Sequence, residues 1–101
     1  MGLKIFLDDL RPTPIGWTRV YTTAECLDLL LTRQATHCSL DNDLGLHQPE
    51  GYTVLNALEQ LVFSDPEFPI PVLTIHSSNA ARRQDMERAI QSIHRIRQKQ
   101  L

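Results

Sequence analysis

The sequence predicts an α/β domain built on an open parallel sheet of about four strands in the order 2-1-3-4, with about three helices. Three observations carry that reading. Short apolar runs of strand length alternate with longer segments in which apolar residues recur every three or four positions. Three of the runs end on polar groups: Asp8-Asp9, Asp41 with Asp43, and His76-Ser77-Ser78-Asn79. Strands separated by helices pair in parallel through right-handed crossovers, which sets such ends along one edge of the sheet, where open α/β sheets bind ligands.

In order, Leu3-Lys4-Ile5-Phe6-Leu7 is an apolar run ended by charge, as expected of a parallel strand covered on both faces. Pro12, Pro14 and Gly16 then exclude regular structure, because each proline removes an amide donor and fixes φ. The connection to the second strand, Trp17 to Tyr21, is therefore a loop over the site, too short for a full helix. Thr22 and Glu25 have the spacing of a capping box. They open a helix expected to run to about Gln34, with Ala24, Leu27, Leu30 and Leu31 on its apolar face. A strand over 37–41 delivers Asp41-Asn42-Asp43, and Gly45 to Pro49 loops into a helix led by Gly51. Its stripe is Val54, Leu55, Leu58, Leu61 and Val62, and Ser64-Asp65-Pro66 stops it. Pro71 to His76 is the fourth strand. Ser78 or Asn79 caps a last helix with Met86, Ala89, Ile90, Ile93 and Ile96 on its apolar stripe, and the tail from Arg97 to Leu101 is expected to fray.

A chain of 101 residues, 42% of them hydrophobic, buries one core, so residues 1–101 read as a single domain with room for one site. The formal net charge of -2 argues against a surface that coats DNA, while a local basic patch remains compatible with phosphate recognition. Cys26 and Cys38 lack metal-binding spacing and read as reduced core thiols. No apolar run reaches the length of a membrane span and no leader pattern precedes the first strand, so a cytoplasmic, non-membrane location is expected.

The chemistry sits at the polar strand ends. Asp8, Asp9, Asp41 and Asp43 converge if the sheet is parallel, and several carboxylates at one point need a cation or a shared proton to offset their repulsion. Hard oxygen ligands without cysteine favour Mg²⁺ or Mn²⁺ over zinc. Arg11, Ser77, Ser78 and Asn79 are the expected phosphate-binding groups, a guanidinium with hydroxyls and amides at a helix start. Arg82 and Arg83 occupy the first turn of that helix, an unfavourable place for cations unless an anion lies nearby. His76 ends a strand beside the acids and suits a general acid or base near neutral pH. His37 reads as structural, His47 lies in a loop near the site, and His94 reads as surface.

Five motifs share one register over roughly residues 3 to 90: Leu7-Asp8-Asp9-Leu10-Arg11-Pro12, Gly16-Trp17, Ser39-Leu40-Asp41-Asn42-Asp43-Leu44-Gly45, Gly51-Tyr52 and Ile75-His76-Ser77-Ser78-Asn79. Together they resemble the cyclic-phosphate processing receiver-like family, a divergent branch of the response-regulator receiver domains. The resemblance implies a flavodoxin-like three-layer sandwich, truncated here because no fifth strand follows the last helix to carry the receiver's lysine. It implies Asp8 and Asp9 as metal ligands, Asp41 at the phosphoacceptor position, and Asp43 offering its backbone carbonyl to the metal. Lys4 and Lys99 do not fill the place of the missing lysine, which disfavours a stable aspartyl-phosphate switch.

The expected activity is divalent-metal-dependent hydrolysis of a cyclic phosphate, a cyclic nucleotide or a 2′,3′-cyclic RNA end, with Asp41 and His76 dividing water activation and proton donation. A receiver-type module phosphorylated on Asp41, or a non-catalytic metal- or nucleotide-binding partner protein, are the alternatives. A homodimer is expected, because the missing strand leaves an edge or helix face uncovered.

Overall fold

A computed structural model describes residues 2–101. The elements are β1 (Leu3–Leu7), β2 (Thr18–Val20), α1 (Thr23–Leu31), β3 (Ala35–Leu40), α2 (Tyr52–Ser64), β4 (Val72–Ile75) and α3 (Ala80–Gln100). The strands pair in parallel in the order β2-β1-β3-β4, as the polar strand ends and helical crossovers require.

Connection lengths decide how the layers form. The crossovers through α1 and α2 carry the chain across the sheet in one direction, so right-handed connections place both helices on one face. α3 packs beside α2, and the buried residues of all three helices join one core cluster. The β1-to-β2 connection runs the opposite way and alone would put a helix on the other face; residues 8–17 contain none. The flavodoxin-like sandwich is thus truncated by a whole layer. A shortest dimension of 20 Å fits one sheet under one layer of helices, each about 10–12 Å across.

The core follows from this arrangement. Ile5, Leu7, Val20, Cys38 and Leu40 meet Cys26, Leu30, Val54, Leu58, Met86 and Ile93. Strand alternation sends Lys4, Phe6, Arg19, His37 and Ser39 to the opposite face. β1 is therefore covered by helices on one face only, which corrects the expectation of two.

Three other expectations shift for local reasons. The capping box forms at Thr22, but α1 ends at Leu31 because Arg33 turns the chain with a φ of 63°. Its buried residues are Thr23, Cys26 and Leu30, whereas Ala24 and Leu31 are exposed: Cys26 fills the position against β3, with its Sγ 3.8 Å from that of Cys38. Both cysteines are free and fully buried. The tail of α3 does not fray, because Arg97 Nη2 donates to the Phe68 carbonyl and Gln100 Nε2 to that of Val62.

One glycine fixes the edge of the sheet. Gly51 donates its amide to the Asn42 carbonyl at 2.8 Å, and a Cβ there would stand 1.8 Å from the Asp41 carbonyl oxygen. Only glycine lets α2 begin so close to the end of β3. Among the described residues no helix is long and apolar enough to cross a membrane.

Candidate functional site

Register alone assembles the site. Leu7 pairs with Leu40 and Leu40 with Ile75, so the next residues, Asp8, Asp41 and His76, form one row at the carboxyl edge of the sheet. One ligand atom of each lies within 4.8 Å of the others.

Asp8 is fully buried and its carboxylate is saturated. Oδ1 accepts the amides of Leu10 at 2.8 Å and Arg11 at 2.9 Å; Oδ2 accepts Arg11 Nη1 at 2.9 Å and His76 Nε2 at 3.0 Å. Burial alone would raise its pKa. The hydrogen bonds from Arg11 and Leu10 amides, the guanidinium and His76 outweigh burial and hold it well below the usual carboxylate range. The tight turn after β1 is what aims those amides, with Asp8 acting as its own Asx-type anchor.

Asp41 is less constrained. Its Oδ1 accepts the Asn42 amide at 2.7 Å and its Oδ2 accepts Arg11 Nη1 at 3.2 Å. Arg11 therefore spans the two carboxylates with one nitrogen, its own side chain 42% exposed.

His76 is held at both ring nitrogens. A carboxylate only accepts, so Nε2 carries a hydrogen toward Asp8, and in the neutral ring Nδ1 accepts from the Ser39 hydroxyl at 2.7 Å. Phe6 stacks on the imidazole with centroids 4.5 Å apart and planes 5° from parallel. Ser39 was not among the residues expected at the site. The signal was present in strand alternation: position 39 points away from the helices, two residues before Asp41, and pairs with Thr74 beside His76.

A cleft of about 460 Å³ opens over this row, lined by Asp8, Asp9, Asp41, Asp43, Arg11 and Ser78. All four expected acids face it, but only Asp8 and Asp41 converge with His76; Asp9 and Asp43 line its wall. Of the expected phosphate-binding groups, Arg11 and Ser78 line it. Ser77 is 2% exposed, and its Oγ accepts the Asn79 amide at 3.1 Å. Asn79 Oδ1 caps α3 through the Arg82 amide, and Nδ2 reaches Asp43 at 3.4 Å. These two side chains build the turn that presents Ser78.

The remaining cations and histidines stand elsewhere. Arg82 pairs with Glu50 at 2.9 Å and Asp85 at 3.0 Å, and Glu50 also accepts Asn42 Nδ2 at 2.7 Å. The charge in the first turn of α3 is thus answered by protein carboxylates, and the network ties the β3–α2 loop to α3. Arg83 donates to the Ser77 carbonyl. His37 bonds Thr36 at the far end of β3, while His47 and His94 are exposed and outside the cleft lining.

The donor set fits a hard divalent cation. A guanidinium already lies between two buried carboxylates, which shows that this point stabilises positive charge. The available donors are carboxylate oxygens, and His76 turns an N–H rather than a lone pair toward them. Asp8 and Asp41, with Asp9 and Asp43 beside them, suit Mg²⁺ or Mn²⁺ better than zinc.

No curated protein and no solved structure matches the chain significantly. A family model does: residues 3–92 match the cyclic-phosphate processing receiver domain, and with its four-stranded 2-1-3-4 sheet and acidic edge the chain belongs to that family.

Proposed function

We propose that this cleft hydrolyses a cyclic phosphate ester with the help of Mg²⁺ or Mn²⁺. The observation that carries the reading is Arg11, a guanidinium, a group suited to phosphate, lying between two carboxylates that suit a cation. Asp8 and Asp41 would hold the metal, with Asp9 and Asp43 completing an acidic wall. When bound, the metal would neutralise charge on the phosphoryl oxygens.

The chain's own groups then divide the work. Arg11 turns its guanidinium from the carboxylates to the phosphate, and Ser78 donates a hydroxyl from the other wall. Asp41 keeps a free lone pair on each oxygen and accepts the proton of the attacking water. The leaving oxygen needs a proton, and His76 in its imidazolium form supplies it from Nε2, exchanging the Asp8 bond for one to substrate and ending as the neutral ring. Ser39 holds Nδ1 meanwhile and keeps the ring in plane.

The chain's two lysines support this reading over an aspartyl-phosphate switch. Lys4 faces the helix-free side of the sheet and Lys99 lies in the last turn of α3; neither lines the cleft. The test is a screen of 2′,3′- and 3′,5′-cyclic nucleotides with Mg²⁺ and Mn²⁺, read by phosphorus NMR. Ring opening is expected, falling about 10²- to 10⁴-fold in His76→Ala while ligand affinity changes far less. Binding without ring opening would make the protein a binder, and a stable phosphoryl group on Asp41 after acetyl phosphate treatment would make it a signalling receiver.

A further inference from the structure

The helix-free face of the sheet is continuous with the cleft, and its chemistry is unlike the rest of the molecule. His76, which does not itself line the cleft, joins the two: it is bonded to the cleft residue Asp8 and stacked on Phe6. Phe6 meets the edge of Trp17 at 6.4 Å, Trp17 meets His37 at 6.0 Å, and the Lys4 ammonium lies 5.8 Å from the Trp17 ring. Arg19 stands over Phe6 and over Tyr21, which is 53% exposed. Its guanidinium bonds only neutral acceptors, the Thr13 hydroxyl at 2.7 Å and the Asp8 carbonyl at 3.1 Å. Among the described residues neither Lys4 nor Arg19 enters an ion pair. Residues 10–24 contain no Asp or Glu, so in a chain of net charge -2 this is a basic, aromatic face.

Resting on the cleft's reading as a cyclic-phosphate site, we infer that its substrate is the 2′,3′-cyclic end of a single RNA strand, whose preceding nucleotides run along this helix-free face, over the side chains that cover Phe6, and stack on the part-exposed Trp17. Arg11, Arg19 and Lys4 descend from the cleft along the face. The Lys4 level lies four residues below Asp8, about 13 Å at about 3.3 Å per residue. A mononucleotide brings one phosphate, which the cleft engages, and leaves Lys4 and Arg19 unanswered. A strand brings one further charge per nucleotide and bases for the aromatic rings, the combination by which single strands are held without sequence preference. A second copy of this chain would set the same cations against each other.

Trp17 is the chain's one tryptophan, so its fluorescence reports the face directly. The experiment titrates the protein with a short oligoribonucleotide ending in a 2′,3′-cyclic phosphate, the same oligonucleotide ending in a 3′-hydroxyl, and a 2′,3′-cyclic mononucleotide, across a salt series. The cyclic-ended strand is expected to quench Trp17 and bind at least about tenfold more tightly than the mononucleotide, with the advantage shrinking as salt rises. In Trp17→Ala and Lys4→Ala, followed by anisotropy of a labelled strand, the strand-to-mononucleotide affinity ratio should fall about tenfold. Equal binding of strand and mononucleotide, or a ratio unmoved in both variants, overturns the inference while leaving the cleft intact as a cyclic-phosphate site. A strand that binds equally well with either end supports the face and refutes the cleft. Failure of every ligand to bind overturns both.

Discussion

Replacing Arg11 by alanine tests the site's need for positive charge without touching either carboxylate. Arg11 Nη1 makes two charge-assisted bonds, 2.9 Å to Asp8 and 3.2 Å to Asp41. Such bonds contribute about 1.5–3 kcal/mol each when shielded. The arginine side chain is 42% exposed, so solvent screening brings the pair down to about 2 kcal/mol. For a domain near 100 residues that is a fall in Tm of about 8–16 °C. Mg²⁺ should then reverse more of the loss in the variant than it adds to the wild type, because no guanidinium has to leave. At ten times Kd a bound ion restores about 1.4 kcal/mol. Thermal unfolding of both proteins by circular dichroism, with and without millimolar Mg²⁺ and with chelator as control, reads both effects. An Arg11→Ala protein that melts like wild type, or equal Mg²⁺ shifts in the two, would refute the cation-site argument.

The two carboxylates should respond differently to amidation. Asp8→Asn faces the donors of Arg11 and His76 with an N–H2 and should lose about 3 kcal/mol in denaturant titrations, whereas Asp41→Asn should stay folded and lose ring-opening activity. Stability should also fall in acid. The folded pKa of Asp8 is depressed, so its contribution is complete above the unfolded value of about 3.9, declines progressively below it and is lost only as pH falls through the lower folded value; urea titrations from pH 6 to 3 should show the onset of the decline, flattened in Asp8→Asn. Gly51→Ala should be among the most damaging single changes, since its Cβ would meet the Asp41 carbonyl oxygen at 1.8 Å; a soluble, wild-type-like melt would show that the β3–α2 loop relaxes freely.

Residues whose role follows from strand ends were legible before any coordinates. Asp8, Asp41 and His76 come together because parallel order and right-handed crossovers leave them no other edge. What sequence could not give was the direction of side chains within that row. Arg11 and Asn79 were expected to hold phosphate, yet Arg11 also neutralises two acids and Asn79 caps a helix, and only distances separate such roles. The open face was half-visible. Lys4 in the middle of β1 is a poor fit to a strand buried on both sides, and the short connection after β1 left no helix to cover it. The order of the α3 tail is not visible in local sequence, because its anchors, Arg97 and Gln100, bond carbonyls 29 and 38 positions away.

Hydrogen-bond capacity separates the roles of the two central acids. A carboxylate offers about four lone-pair sites, and Asp8 has four donors on its two oxygens. Two of those donors are backbone amides in a fixed turn, and a third is an imidazole clamped between Ser39 and Phe6. The fourth, Arg11, is the half-exposed one, so while His76 stays on Asp8 a cation that joins this carboxylate takes the place of Arg11. Asp41 receives one donor on each oxygen and shares that same guanidinium. Removing Arg11 from the carboxylates therefore frees one lone pair on Asp8 and a second on Asp41 Oδ2 in a single movement. The same movement turns a guanidinium toward the cleft. Freeing the acids and releasing a guanidinium toward the cleft are one event in this geometry, because a single nitrogen makes both contacts.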